Sequence, residues 1–233
     1  MIVLNAPSHY DLYSRINSKL GGDMRKGIRL NRNGITLIEL LVAFVICAIV
    51  VGGIYRVFVS QTRAYTIQDQ VVEVQQNIRT AMEILLRDLR MAGYDSDSLT
   101  SKISIATPIT PADQSVTVNY EYDDTHRYEI TYALQNGNLT RQLTIYPDAG
   151  PSSSTTDTIL ENVKGLNFTY GIDTNDDGAV DDWVDTAHIG LAKVVAVRVV
   201  LTANPDQTNP DVTKVVSPRT LTSAVTMRNL CLR

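Results

Sequence analysis

Six aspartates fall within thirteen residues in the run Asp173-Thr-Asn175-Asp-Asp177-Gly178-Ala179-Val-Asp181-Asp-Trp-Val-Asp185. Side-chain oxygens stand at the first, third and fifth places (Asp173, Asn175, Asp177), glycine at the sixth and a carboxylate at the ninth (Asp181). With a backbone carbonyl from Ala179 at the seventh, this is the order in which a loop wraps a calcium ion. The twelfth place, where a bidentate glutamate normally completes the shell, is Val184, so Asp182, Asp185 or water has to close it. Carboxylates this close repel one another unless a cation or solvent screens them. Two readings therefore stand. One is a calcium loop through Asp173, Asn175, Asp177, Ala179, Asp181 and Asp185; the other is a solvated Asp/Asn/Gly turn without metal. Trp183, the only tryptophan, is placed to pin the loop to the body.

Other reactive side chains are sparse. Neither His126 nor His188 has a neighbouring cysteine or a Glu-x-x-His spacing, and no Gly-x-Ser-x-Gly elbow occurs. No catalytic residue can be named, and the chain does not read as an enzyme. Cys47 and Cys231 lie in segments of opposite character, so no disulfide between them is expected. Glu39 is the other carboxylate of interest. It stands in Ile35 to Ile54, a run apolar apart from Thr36 and Glu39, and a carboxylate in hydrocarbon costs about 2.5 to 3.5 kcal/mol unless it has a partner.

The element that must position Glu39 is a helix. Twenty residues at 1.5 Å each cross a bilayer core of about 30 Å. Residues 1–34 carry Arg15, Lys19, Arg25, Lys26, Arg29 and Arg32 against Asp11 and Asp23, a net of +4. Such a flank stays in the cytoplasm and directs the rest across the inner membrane. Met24 opens a compact basic segment and is an alternative start.

Gly34, an apolar residue, Thr-Leu-Ile-Glu39 and the apolar run together resemble the class III leader of type IV pilins and pseudopilins. The resemblance implies cleavage by prepilin peptidase between Gly34 and Ile35, N-methylation of Ile35, and a role for Glu39 in assembly. The amino group freed at Ile35 is a cation one helical turn from Glu39, so a carboxylate there is a natural partner in the same chain or a neighbour. Arg87-Asp-Leu-Arg-Met-Ala-Gly-Tyr94 is similar to the helix end of PilW-type minor pilins, and also suits the J-type pseudopilins of type II secretion. The resemblance is most specific over residues 29–94.

Beyond Ile54 the apolar residues become periodic. Ile67, Val71, Val74, Ile78, Ala81, Leu85 and Leu89 recur every three or four residues, with Arg63, Asp69, Glu73, Arg79, Glu83, Asp88 and Arg90 between them. One helix is predicted over 35–92, a transmembrane half to residue 54 and an amphipathic half over 55–92, stopped by Gly93. Gly52-Gly53 is its weakest point. The remainder, 93–233, reads as a β-rich periplasmic or extracellular head. Strands are expected at Ile103 to Ile109, Ser115 to Tyr122, Arg127 to Leu134, Leu139 to Tyr146, Ile159 to Tyr170, Ala192 to Thr202 and Thr220 to Met227. Gln135-Asn-Gly-Asn138 turns a hairpin, and Pro147 to Asp157 is expected as a loop. The fold class is α+β and pilin-like, one long N-terminal helix packed on a mainly antiparallel sheet.

Without the leader the chain carries about −8 over 199 residues, which disfavours direct binding to nucleic acid. The resemblance implies a minor pilin near the tip of a type IV pilus. Its partners would be prepilin peptidase, other minor and major pilins or pseudopilins, the inner-membrane assembly platform and the bilayer. The alternatives are a J-type minor pseudopilin of a type II secretion system and a tip adhesin using the loops Pro147 to Asp157 and Asp173 to Asp185. No cofactor is required; calcium at the acidic loop is the one candidate.

Overall fold

The computed structural model describes residues 34–96, 104–205 and 210–231. The expected leader, up to residue 33, and Ile103 lie outside them. Two units divide the chain, one ending at Arg56 and one running from Val57 to Arg233. Helix α1, Leu37–Met91, is continuous through Gly52-Gly53 and is two residues shorter at its start and one at its end than the periodicity predicts. In the first unit it is long and apolar enough to cross a membrane, and none of that stretch is buried.

In the second unit the periodic apolar positions face inward. Val74, Ile78, Ala81, Leu85 and Leu89 are buried, joined by Met82 and Leu86. They share one core cluster with two antiparallel sheets. The first has the order β1 (Ile109–Pro111), β2 (Ser115–Asp123), β3 (His126–Gln135), β4 (Asn138–Pro147), β5 (Ser153–Leu160). The second has the order β7 (Asp182–Val184), β6 (Val163–Asp173), β8 (Lys193–Ala203), β9 (Arg219–Thr226). Two four-residue helices, α2 (Pro210–Thr213) and α3 (Arg228–Cys231), complete the head. The predicted antiparallel pairing is thus present but divided between two sheets.

Alternation along the strands sorts the residues. Val116, Val118 and Tyr120 of β2 and Ile130 and Tyr132 of β3 enter the core, while on the opposite face the hydroxyls of Thr117 and Thr131 meet at 2.8 Å. The β3–β4 hairpin turns on Asn136 (φ 51°) and Gly137 (φ 76°), the two positive φ values that a type I′ turn requires. Tyr170 of β6 ties the sheets together, since its hydroxyl accepts from the Ala112 amide at 2.9 Å and donates to the Ala112 carbonyl at 2.6 Å.

Three local expectations are corrected. The Ser/Thr-rich part of Pro147 to Asp157 is not loop: β5 pairs with β4 from Ser153 onward, leaving a connection of residues 148–152. It lacks apolar alternation because it is an exposed edge strand, with neither face of its first six residues buried. Residues 104–108 are not strand; β1 begins only at Ile109. Asp182-Trp183-Val184 was read as part of the acidic loop and instead pairs with Tyr170 to Ile172.

Burial also shifts the head's acid–base behaviour. Burial first, and the nearby Asp88 charge second, push the Tyr120 hydroxyl up to about 12; Tyr132 and Tyr170 are pushed up as well, chiefly by burial. Below pH 10 these tyrosines are neutral in both the folded and the unfolded chain. Above it the unfolded chain releases protons that the fold retains, so stability is lost as pH rises from about 10 to 12. Unfolding followed by circular dichroism should coincide with a cooperative step in tyrosinate absorbance at 295 nm. A smooth titration of all eleven tyrosines with the fold intact would contradict this.

Candidate functional site

Helix α1 starts on a cap that its own sequence supplies. Thr36 accepts the Glu39 amide on its hydroxyl at 3.3 Å and the Leu40 amide on its carbonyl at 3.2 Å. Thr-x-x-Glu is the spacing of a capping box, and a carboxylate in the first turn suits the partial positive charge of a helix N-terminus. Glu39 thus has a helix-starting role that its expected assembly role had hidden. Around it the apolar side chains have no cover: Leu37 is 81% exposed, Phe44 76% and Ile49 70%. So much apolar surface needs hydrocarbon or the helices of other subunits against it.

The acidic loop runs between β6 and β7 and is closed by its own amides. Asp173, buried at the end of β6, accepts from Asp176 at 2.7 Å and Asn175 at 3.2 Å on Oδ1, and from Gly178 at 2.8 Å on Oδ2. Asp177 accepts from the Ala179 amide at 2.8 Å and from the Asn175 side-chain amide at 3.1 Å. Asp181 reaches back to Thr174, taking its amide at 2.7 Å and its hydroxyl at 2.5 Å, and these bonds hold its carboxyl below the usual range. Gly178 has φ 81° and a Cβ there would come within 2.7 Å of the Cys231 carbonyl, so only glycine fits.

Asp185, expected to help close a calcium shell, instead caps the 3-10 turn Thr186–His188 and pairs with the His188 ring. Trp183 lies under the Arg198 guanidinium, 4.1 Å from its ring centre, which anchors this end of the loop to β8. Asp173, Asn175, Asp177 and Asp181 thus lie in one hydrogen-bonded loop, in which both oxygens of Asp173 and of Asp177 accept from amides. Among the described residues no group of three or more His, Cys, Asp or Glu is placed to hold a metal ion.

Residues 29–55 match the prokaryotic N-terminal methylation motif, and residues 127–229 match the family model of Type IV Pilus-assembly protein W. The chain is thus similar to type IV pilin-like proteins over residues 29–55 and to the PilW family over its head. No curated protein matches it. The first match encloses Gly34, Ile35 and Glu39; the second begins in β3 and runs through the acidic loop into α3. Arg87 to Tyr94, the helix end that resembles PilW, lies in neither, so the head carries the stronger mark of kinship to that family.

One site of the head escaped the sequence reading. Asp88 sits among the charged positions of the amphipathic pattern yet is only 3% exposed. Its Oδ2 accepts from the Tyr132 hydroxyl and from Arg141 Nε, each at 2.8 Å, which links the helix to β3 and β4. Glu121, also buried, accepts from the Ser96 amide at 2.6 Å and hydroxyl at 3.0 Å and so holds the chain leaving the helix. Through these contacts both carboxylates serve the fold.

Proposed function

We propose that this protein is a PilW-type minor pilin, matured by prepilin peptidase between Gly34 and Ile35, N-methylated at Ile35 and assembled into a type IV pilus. One observation carries the reading. The match to the methylation motif coincides with a helix that opens at Leu37, has Glu39 as its sole acidic residue before Asp69, and leaves its large apolar side chains from Leu37 to Val59 uncovered. Cleavage after Gly34 creates an ammonium at Ile35, four residues from Glu39 and at the edge of the membrane. In the inner membrane the helix waits with its head on the periplasmic side, and in a filament the same apolar surface packs on neighbouring pilins. The neutralising carboxylate lets the charged amino terminus enter that packing. The match of the head to a pilus-assembly family favours the pilus over a secretion pseudopilus. Near the tip, the head makes lateral contacts with other minor pilins. No cofactor enters this reading.

Intact mass and N-terminal sequencing of the protein, taken from membranes with and without prepilin peptidase, test it. The expected result is a species beginning at methylated Ile35 that is absent without the peptidase. An uncut chain in both strains would overturn the reading and leave a membrane-anchored β-rich head.

A further inference from the structure

The β2–β3 hairpin breaks its register between Glu121 and Asp123. Glu121 faces Arg127 and Asp123 faces His126, which leaves Tyr122 as the extra residue of a β-bulge. Freed from the ladder, the Tyr122 ring lies flat on Tyr128, with centroids 4.3 Å apart and planes 3° apart, while Tyr120 meets Tyr128 at 5.8 Å. Tyr120, Tyr128 and Ile145 form one cross-strand row on the face whose next row, Val118, Ile130 and Leu143, packs with the core. At the hairpin end that face opens. Tyr122 is 61% exposed, and a pocket of about 350 Å³ runs from it over Tyr128 and Ile145 to Pro147 and Pro151. The pocket borders the Pro147 to Asp157 segment.

Its polar groups sit on one rim. His126 turns Nδ1 toward Asp123 at 2.8 Å, which leaves Nε2 for a ligand, and Thr125 donates its amide and hydroxyl to the same carboxylate at 2.9 Å each. The His126 hydrogen bond, followed by those from Thr125, pulls the Asp123 acid down to about 2, so it is an anion at any physiological pH. Arg127, the nearest strong cation in sequence, points to the opposite face and stacks on Tyr146, 4.2 Å from the ring centre. With Arg127 turned to the opposite face, the Asp123 anion on this rim disfavours phosphates, sulfates and acidic sugars.

We propose that this pocket binds a neutral pyranose sugar: the open face of Tyr122 stacks on the C–H face of the ring, and Asp123 and His126 hydrogen-bond its hydroxyls. The shape distinguishes this class from a quaternary ammonium. A point cation is held by several aromatic faces set around it, whereas Tyr122 and Tyr128 are stacked on each other and offer one flat face. The volume is at the lower end of small-ligand sites and suits one or two sugar rings. A sugar site would give the head a binding activity of its own, independent of how the leader is processed.

The test uses the full chain in nanodiscs of phosphatidylethanolamine and phosphatidylglycerol, which lack sugar and choline headgroups. Saturation-transfer NMR is run with the methyl pyranosides of glucose, galactose, mannose and N-acetylglucosamine, beside N-acetylneuraminic acid and tetramethylammonium. At least one neutral pyranoside should bind, with a dissociation constant of about 1 mM or below. Tyr122→Ala and Asp123→Asn should each weaken it by roughly tenfold or more, which corresponds to one lost stacking or charge-assisted contact. Thr131→Ala, on the opposite face of the sheet, should leave it unchanged. Because Tyr122 is exposed, its removal should preserve the far-UV spectrum and melting temperature, so a loss of binding reports the site and not the fold. Failure of all four neutral sugars to bind, binding indifferent to Tyr122→Ala, or binding confined to the acidic sugar or tetramethylammonium would each overturn the proposal.

Discussion

Glu39→Ala should leave the amount of this protein in the inner membrane unchanged or slightly raised, while its recovery in sheared filaments falls by at least tenfold. The two effects separate because the carboxylate acts differently in the two environments. In the bilayer a lone Glu39 opposes insertion by about 2.5 to 3.5 kcal/mol, so removing it does not weaken anchoring. On the proposed maturation, the amino terminus created at Ile35 would be buried among apolar helices in a filament, and taking away the carboxylate would leave that ammonium unpaired. Breaking a buried ion pair by deleting one partner costs about 3 to 5 kcal/mol, well above the 1.4 kcal/mol that corresponds to tenfold. The Thr36 cap takes the backbone amide of residue 39 and survives the substitution. Glu39→Gln keeps the side chain's length but not its charge, so it should fail in incorporation as Glu39→Ala does. Immunoblots of membrane and sheared fractions measure both. Equal incorporation of Glu39→Ala and the parent chain would remove the electrostatic pairing from the assembly model.

Asp88→Ala should lower the melting temperature of the head by about 6 to 20 °C. Asp88 is the acceptor for both Tyr132 and Arg141 at 2.8 Å, and the Arg141 side chain is only 16% exposed. Deleting the carboxylate strands a largely buried guanidinium and a buried hydroxyl, a loss of about 3 to 5 kcal/mol. At about 2 to 4 °C per kcal/mol for a domain of this size, the range follows. Replacing the pair together, Asp88→Leu with Arg141→Met, should recover most of the loss, because the cost lies in the unpaired charge and not in the absence of an ion pair. Differential scanning calorimetry of the single and double variants decides it. A single variant that melts with the parent would show that water reaches Arg141 and screens it.

The long helix and its anchor were legible because their causes are local. An apolar run followed by a three-and-four period determines which residues face inward, and Val74, Ile78, Ala81, Leu85 and Leu89 are buried as that period requires. Gly93, read as the helix stop, has φ 71°. The Asn136-Gly137 turn was legible for the same reason, a backbone conformation that few residues tolerate. The β5 edge was not, since a strand with no buried face carries no alternation to detect. Nor was Asp88, whose position in the heptad-like pattern belongs equally to an exposed charge. The family match in the head also outran the residues that first suggested it, because kinship there is spread thinly over many strands and not concentrated in a motif.

The acidic loop shows the division most sharply. Residue types and order were enough to predict a tight, glycine-dependent turn rich in oxygen acceptors, since Gly178 and the Asp/Asn spacing act within the loop. How the far end of the loop is held depends on where β7 begins and where Asp185 ends up, and both are decided by pairing with β6 and by the His188 contact. The sequence alone determined the long apolar helix, its stop at Gly93, the α+β class and the pattern of the pilin-like leader, all products of interactions between residues a few places apart. Tertiary structure alone decided the two-sheet head, the Asp88 cluster and the Tyr122 pocket, because each depends on side chains brought together across strands whose register no short-range pattern encodes.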